Sequence, residues 1–280
     1  MDNLQAYIKE ILLGEIKDII IAARQGNMQI IEEKENGDSA TNADVAIGNL
    51  LSSKLKDLVP NSLVIEEESF TEALFSDMAC YRHIWIIDPI DGTKAFRTKG
   101  NNEYCVAIAL LENFSPVISM VYAPEYEFTG EKGLLFEADS NGATLNGKSI
   151  NLNKTKSKHY CVNHIHRDTV LNEFEQKISK LCQKGETIRA YDGHSTLLQI
   201  CLVAGSDGDR VFTRRGANIW DIVQGAYIVN QAGGKVTYDN GSPLFPLDPS
   251  ILQIDGNNHL IMPQIVACNA DFHHKLGYSS

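Results

Sequence analysis

Apolar and polar positions along this chain follow two rhythms, and the switches between them mark out its elements. Leu4, Ile8, Ile11, Leu12, Ile16, Ile19, Ile20 and Ala23 recur at helical spacing, with Lys9, Glu10, Lys17 and Asp18 between them. That spacing predicts a helix over residues 4–24 with one buried face. Residues 25–38 are polar and turn-rich and predict an exposed loop or ribbon. A second helical pattern, Val45, Ile47, Leu50, Leu51 and Leu55, follows Thr41, an N-cap residue with Asp44 three positions on, where a capping-box acid sits. Leu63-Val64-Ile65 reads as a short strand running into Glu66-Glu67-Glu68, and residues 70–82 as a connection without a clear period. Ile84-Trp85-Ile86-Ile87 is an unbroken run of β-branched and aromatic residues, the pattern of a strand buried on both faces.

Further on, residues 104–111 and 117–122 read as strands joined by a hairpin-like link at Asn113-Phe114-Ser115-Pro116. Another strand at 133–137 is followed by turns at Asn141-Gly142 and Asn146-Gly147. The polar run 151–158 marks a junction, dividing the chain into residues 1–152 and 153–280. Past it, strands near 160–163, 187–191 and 210–213 alternate with helices near 168–182 and 195–204, which argues for an α/β layer. A last long helix is expected to open at Asn218-Ile219-Trp220-Asp221 and run to Gln231, before Ala232-Gly233-Gly234.

Composition narrows the function classes. With 280 residues, 43% of them hydrophobic, the chain is long enough for one large or two ordinary domains. Its 36 acidic residues outweigh 25 basic ones, for a net charge of −11. A diffuse polyanion repels nucleic-acid backbones, so a polymer partner is not expected. A small anionic substrate remains compatible where a bound cation inverts the local field. The six cysteines are scattered without a C-x-x-C pair. With no signal pattern and no membrane-span-length apolar stretch, they suggest reduced thiols in a cytoplasmic protein. Cys105 and Cys201 sit in apolar runs and read as core. None of the eight histidines has zinc-ligand spacing; His164 and His166 read as surface strand or loop residues, and His273 and His274 as solvent-exposed.

The candidate chemistry gathers at Asp88-Pro89-Ile90-Asp91-Gly92-Thr93. A buried strand that ends this way delivers two carboxylates and a set of free backbone N–H groups to one place. Carboxylates hold hard divalent cations such as Mg²⁺, and N–H groups at a helix start hold phosphate. Asp-Pro and Asp-Gly are also ordinary turn formers, Asp44 suits a plain helix-start role, and three glutamates in a row suit a solvated surface. Asp221 likewise suits a helix dipole. Yet Asp88, Asp91, Asp221 and one of the glutamates are four acids on element ends, more than a stable fold gathers without cations.

Residues 84–96, Ile-Trp-Ile-Ile-Asp-Pro-Ile-Asp-Gly-Thr-Lys-Ala-Phe, with Ile219-Trp220-Asp221 and Ala232-Gly233-Gly234 downstream, resemble the inositol monophosphatase superfamily of Mg²⁺-dependent, lithium-sensitive phosphomonoesterases. The resemblance covers nearly the whole chain. It implies a layered α-β-α-β-α sandwich in two subdomains with the metal site between them. It makes Glu67, Asp88 and the Ile90 carbonyl ligands of one Mg²⁺, and Asp88, Asp91 and Asp221 ligands of a second. Lys34 matches a lysine near the phosphate and a more weakly held third metal. Thr93 with Asp44 would activate the attacking water, and the Gly92 and Thr93 amides would hold the phosphate.

Within that superfamily, Lys94, the segments 102–110 and 121–124, and Cys201-Leu202-Val203-Ala204 look more like the bacterial 3′(2′),5′-bisphosphate nucleotidases, which act on adenosine 3′,5′-bisphosphate. Gly193-His194-Ser195 resembles their base-binding Gly-Ser segment, with His194 replacing a serine, and Arg214, Arg215 and Asn218 fall where those enzymes meet the nucleotide. For the two arginines a solvated surface turn is the competing assignment. Val223-Gln224 stands where Ala-Ala is usual, so altered packing rather than lost metal is expected. The expected partner is therefore a small phosphorylated metabolite bound by a monomer or homodimer. Inositol phosphate is the alternative substrate, and a non-catalytic phosphometabolite-binding protein the alternative class.

Overall fold

The run Ile84–Ile87 carries no polar residue because both faces of its strand are covered. The structure is a computed structural model that describes all residues except 1, 34–38, 129, 153–160, 165–171, 182–188, 191–194, 206–209, 257 and 279–280. The chain opens with α1 (Asp2–Ile11) and α2 (Lys17–Ala22), joined by a π-helical turn at Leu12–Ile16 and followed by another at Ala23–Asn27. A ribbon of β1 (Ile30–Glu33) and β2 (Ser39–Thr41) leads into α3 (Asn42–Leu58). There Thr41 caps the helix and Asp44 completes the capping box.

Next come β3 (Leu63–Glu66), the short α4 (Glu72–Asp77), β4 (His83–Asp91), α5 (Thr93–Arg97), β5 (Cys105–Glu112), β6 (Ser115–Phe128), β7 (Glu131–Asp139), β8 (Gly142–Leu145) and β9 (Lys148–Ile150). The strands β3 to β9 form one seven-stranded sheet in sequence order, with only the β3–β4 pair parallel. The remainder is β10 (Cys161–His164), α6 (Glu173–Leu181), β11 (Arg189–Ala190), α7 (Thr196–Gly205), β12 (Arg210–Arg214), α8 (Val223–Gln231), β13 (Lys235–Tyr238), a small β14–β15 hairpin (Gln253–Ile254, Leu260–Ile261), β16 (Ile265–Cys268) and α9 (Ala270–Lys275). Five of these strands make a second sheet, in the order β11-β10-β12-β16-β13.

Side-chain alternation stacks the layers. In β4, Trp85 and Ile87 join the apolar cluster beneath α1, α2 and α3, while Ile84 and Ile86 join the cluster containing α7 and α8. In β12 and β16, Phe212, Ile265 and Ala267 face that same middle cluster, and Val211, Val266 and Cys268 face α6 and α9. Successive residues on a strand point to opposite faces, so the order helices–sheet–helices–sheet–helices follows from the burial pattern. This is the expected α-β-α-β-α sandwich. Its middle cluster draws on both sides of residue 152, with Ile84 and Phe136 beside Ile200, Ile228 and Ile265. Most of the expected junction at 151–158 lies outside the described residues. Among the described residues no helix is long and apolar enough to cross a membrane.

Four local expectations are corrected. The β5–β6 link is the two residues Asn113-Phe114, at φ 48° and 64°, and Pro116 lies inside β6. A two-residue hairpin turn needs positive φ at both positions, and a register shift at Leu110/Leu111 accommodates the proline. The turns at 141–142 and 146–147 bound two further strands, β8 and β9. The helix expected from Asn218 is split into a 3₁₀ turn at Ile219–Asp221 and α8, with a break at Ile222 (φ −124°, ψ −49°). His273 is buried rather than exposed, against the Thr237 hydroxyl at 3.3 Å.

Candidate metal and phosphate site

In a regular strand, positions three apart face opposite sides of the sheet, so Asp88 and Asp91 would diverge. The structure resolves this with a break in register. Asp88 pairs with Ala107 and Asp91 with Cys105, and the ladder is irregular between them, across Pro89-Ile90. Both carboxylates then meet Asp221, presented by the 3₁₀ turn ahead of α8, with one oxygen from each of the three within 4.8 Å of the others.

Asp88 is the centre of the cluster. It is 0% exposed, and neither of its carboxylate oxygens has a hydrogen-bond partner among the described residues. Burial pushes its carboxyl well above the usual range, and the charges of Glu67, Asp91, Asp221 and Asp44 push the same way, in that order. An unpaired buried carboxylate is costly unless a cation meets it. The all-oxygen donor set suits a hard divalent ion, so these residues fit Mg²⁺.

Parallel pairing of β3 with β4 puts Glu66 opposite Ile87, and therefore turns the following residue, Glu67, toward Asp88. Glu67 is half-buried and exerts the largest single charge effect on Asp88. Glu66 instead packs under α3, where a Cβ on Gly48 would come within 2.8 Å of its carboxylate, and accepts the Glu68 amide at 3.0 Å. Of the two glutamates, Glu67 is thus the one whose charge acts on Asp88.

Asp91 rests on the first turn of α7. Its Oδ2 accepts the Ser195 hydroxyl and, at 2.6 Å, the Leu197 amide. Burial and then the Asp221 charge push its carboxyl up to about 7, against the pull of Ser195, Leu197 and Arg214. Asp44, also raised to about 7 by burial, keeps its Oδ2 on the Thr41 hydroxyl (2.5 Å) and amide (2.8 Å). The Thr93 hydroxyl donates to the Ile90 carbonyl at 3.0 Å, while the capping box holds Asp44 Oδ2. Asp221 Oδ2 is held loosely by the Asn218 amide and side chain, at 3.3 and 3.4 Å.

Gly92 has φ +88°, and a Cβ there would lie 2.7 Å from the Glu103 carbonyl and 3.0 Å from the Ser195 nitrogen; only glycine fits. Lys94 is exposed on α5. Ser195 is fully buried with Asp91 rather than presented to solvent. Arg214 donates to the Thr196 hydroxyl at 2.5 Å, and Arg215 Nε lies 2.9 Å from buried Glu175, so neither arginine is merely a solvated turn. Lys34 and His194 lie outside the described residues.

One residue hidden in the first helical pattern supports the site from below. Arg24 places its five N–H groups on Glu125 (3.0 Å), the carbonyls of Phe96 (2.6 Å), Thr98 (3.2 Å) and Asn101 (3.1 Å), and the Asn102 side chain (3.1 Å). Its guanidinium also lies over the rings of Phe96 and Tyr104. It thereby holds the far end of α5, the element that follows Gly92. Its position at the end of an amphipathic helix gave no sign of this, since its partners lie 72 to 101 residues away in sequence.

The inositol monophosphatase family model matches residues 3–269. The chain belongs to the inositol monophosphatase family. It is 28% identical over 220 residues to the 3′(2′),5′-bisphosphate nucleotidase CysQ of Escherichia coli, covering 78% of this chain and 82% of that protein. It is 32% identical over 248 residues to the inositol-1-monophosphatase of Synechocystis, covering 86% and 82%. A dual IMPase/NADP phosphatase solved with Mg²⁺ and phosphate shares the fold at a TM-score of 0.70 and 20% identity, over 97% of this chain and 94% of that one. As a member of the inositol monophosphatase family the chain is a metal-dependent phosphatase of small phosphorylated metabolites, and the Asp88–Asp91–Asp221 cluster accords with Mg²⁺.

Proposed function

We propose that this phosphatase hydrolyses the 3′-phosphate of adenosine 3′,5′-bisphosphate. Glu67, Asp88 and the Ile90 carbonyl would hold one Mg²⁺, and Asp88, Asp91 and Asp221 a second, with Lys34 near a weaker third. The observation that carries the chemistry is Asp88, buried amid four other acids with both oxygens unpartnered among the described residues. When bound, the cations supply Lewis-acid charge against the phosphate oxygens and acidify water for attack.

The chain's own groups do the rest. The Gly92 and Thr93 amides bind the phosphate at the start of α5. Asp44, lifted by burial to about 7, is tuned to accept a proton near neutral pH, and Thr93 lies on the Ile90 carbonyl to help orient the water. Support for a substrate with two phosphates comes from Arg214, whose charge reaches Asp91 while one of its five N–H groups is engaged by Thr196. The remaining donors suit a second phosphate. The alternative, inositol phosphate, draws support from the Synechocystis relative.

The test is phosphate release from adenosine 3′,5′-bisphosphate and inositol 1-phosphate, each with Mg²⁺ and with added Li⁺, in the wild type and in Arg214→Met. The expected result is a preference for the nucleotide, with KM raised by about tenfold in Arg214→Met for that substrate alone. A preference for inositol 1-phosphate that survives the substitution would overturn the substrate assignment. Absence of release from either would favour a binding protein.

A further inference from the structure

Ser195 was expected to meet substrate, but its hydroxyl is fully buried and already committed. A hydroxyl has one proton and two lone pairs. The proton goes to Asp91 Oδ2. One lone pair accepts the Leu198 amide at 2.9 Å, which makes Ser195 the N-cap of α7. The other faces the Cys105 sulfur at 3.3 Å; with the serine proton spent on Asp91, the thiol is the donor there. The Ser195 nitrogen donates in turn to the Glu103 carbonyl at 3.1 Å. Asp91 Oδ2 therefore receives two donors from one helix turn, Ser195 O–H and Leu197 N–H, with the Cys105 thiol a longer 3.9 Å away, and among the described residues Oδ1 has no donor.

We propose that Ser195, backed by Cys105, is a positioning residue for Asp91: it pins Oδ2 to the start of α7 and so holds Oδ1 ready for a cation beside Asp88 and Asp221. The inference rests on the metal-ligand reading of Asp91. Like-charged carboxylates within 4.8 Å repel one another, and without an anchor on its far oxygen Asp91 would be free to rotate away. Partners that orient a ligating carboxylate typically contribute about 10- to 100-fold to metal affinity.

The experiment is a calorimetric Mg²⁺ titration of the intact protein, paired with the Mg²⁺-induced shift in melting temperature, for Ser195→Ala, Ser195→Gly, Ser195→Thr, Cys105→Ala and Asp91→Asn. The alanine variant loses both the cap and the Asp91 donor. Glycine is nearly as good a cap as serine, so it loses chiefly the donor, and threonine keeps both. The expected result is Mg²⁺ binding weakened about tenfold in both Ser195→Ala and Ser195→Gly, preserved in Ser195→Thr, and weakened by about threefold in Cys105→Ala. Wild-type Mg²⁺ affinity in Ser195→Gly, with a loss in Asp91→Asn, would show that Ser195 only caps α7 and would overturn the proposal alone. Wild-type affinity in Asp91→Asn would instead remove Asp91 from the metal site, and the reading beneath the proposal with it.

Discussion

Asp88 and Glu175 are both carboxylates shut away from solvent, at 0% and 2% exposure, yet the fold treats them in opposite ways. Glu175, at the start of α6, accepts the Asn172 amide at 2.8 Å and the Gln264 side chain at 3.3 Å, and lies 2.9 Å from Arg215 Nε. The network closes on itself, since Asn172 also reaches Gln264 (2.6 Å) and Gln264 reaches the Thr213 hydroxyl (3.2 Å). Asp88 has no donor among the described residues and is ringed by other acids. The chain can satisfy a buried carboxylate, so the bareness of Asp88 is specific to its place. One acid is finished by the protein, and the other is left for a cation to finish.

The sharpest way to break that contrast is to neutralise each acid. Asp88→Asn should stabilise the metal-free protein, because it removes a buried, repelled charge. It should also cut phosphate release by roughly 10³-fold, the worth of several kcal/mol of charge stabilisation. Glu175→Gln should do the reverse. Leaving the partly exposed Arg215 beside a neutral group costs about 1–3 kcal/mol of stability, while Mg²⁺ affinity of the folded fraction stays near wild type. Urea unfolding in EDTA together with a phosphate-release assay checks both. A destabilised Asp88→Asn would mean that Asp88 is a structural acid like Glu175.

Arg24 belongs with Glu175 among the satisfied groups, and Arg24→Lys tests how much full satisfaction is worth. Lysine keeps the charge but offers three donors from one point instead of a planar fork. With hydrogen bonds of a charged group lost, stability should fall by about 2–3 kcal/mol. Because the five residues of α5 are too few to hold a helix alone, inhibition by inorganic phosphate should weaken as well. Unchanged stability in Arg24→Lys would show the five contacts to be dispensable.

How much of this was legible in the sequence depends on the range of the contacts. Local and periodic features could be read: the Thr41–Asp44 capping box, the buried β4 strand, the alternating elements after residue 160. The gathering of Asp88, Asp91 and Asp221 was legible only through the resemblance, because spacing alone does not bring residue 221 to a strand end at 88. The Arg24 clamp and the bond from Ser195 to Asp91 were not legible, since each joins residues 72 to 104 positions apart with no local pattern. His273 was misjudged for the same reason: two adjacent histidines look exposed until β13 covers one of them.

The unsatisfied group of acids should also announce itself through pH. Asp44 and Asp91 titrate near 7 when folded and near 4 when unfolded, so between those values the folded state holds more protons. Stability of the metal-free protein must then fall as pH rises through that window. Burial of His273 lowers its pKa and acts oppositely, losing stability as pH drops below about 6.5, so the clean comparison lies above that point. Between about pH 6.5 and about pH 8.5 in EDTA, the two acids together should cost roughly 1–2 kcal/mol, or about 3–6 °C in melting temperature. Saturating Mg²⁺ should flatten the slope by replacing those protons. A flat profile in EDTA would mean that the acids are not crowded in solution.

Gln224 falls between the two kinds, and the smallest predicted effect is the one that assigns it. It is fully buried on α8: its Nε2 donates to the Ile86 carbonyl at 3.2 Å, while its Oε1 has no partner among the described residues. That single bond joins the helix just after Asp221 to the strand just before Asp88, and the Ser119 hydroxyl reinforces it by donating to the Gln224 carbonyl at 2.9 Å. Gln224→Leu loses one hydrogen bond of net worth about 1 kcal/mol but also removes an orphaned acceptor of similar or greater cost. Stability should therefore change by less than about 1 kcal/mol, with the sign set by the orphan. If stability rises while Mg²⁺ binding weakens by a few-fold, Gln224 is kept for the spacing of Asp88 and Asp221, at the expense of the fold, as Asp88 itself is. If stability falls and Mg²⁺ binding is unchanged, the amide is ordinary stitching between layers, and the strain of the site ends at its carboxylates.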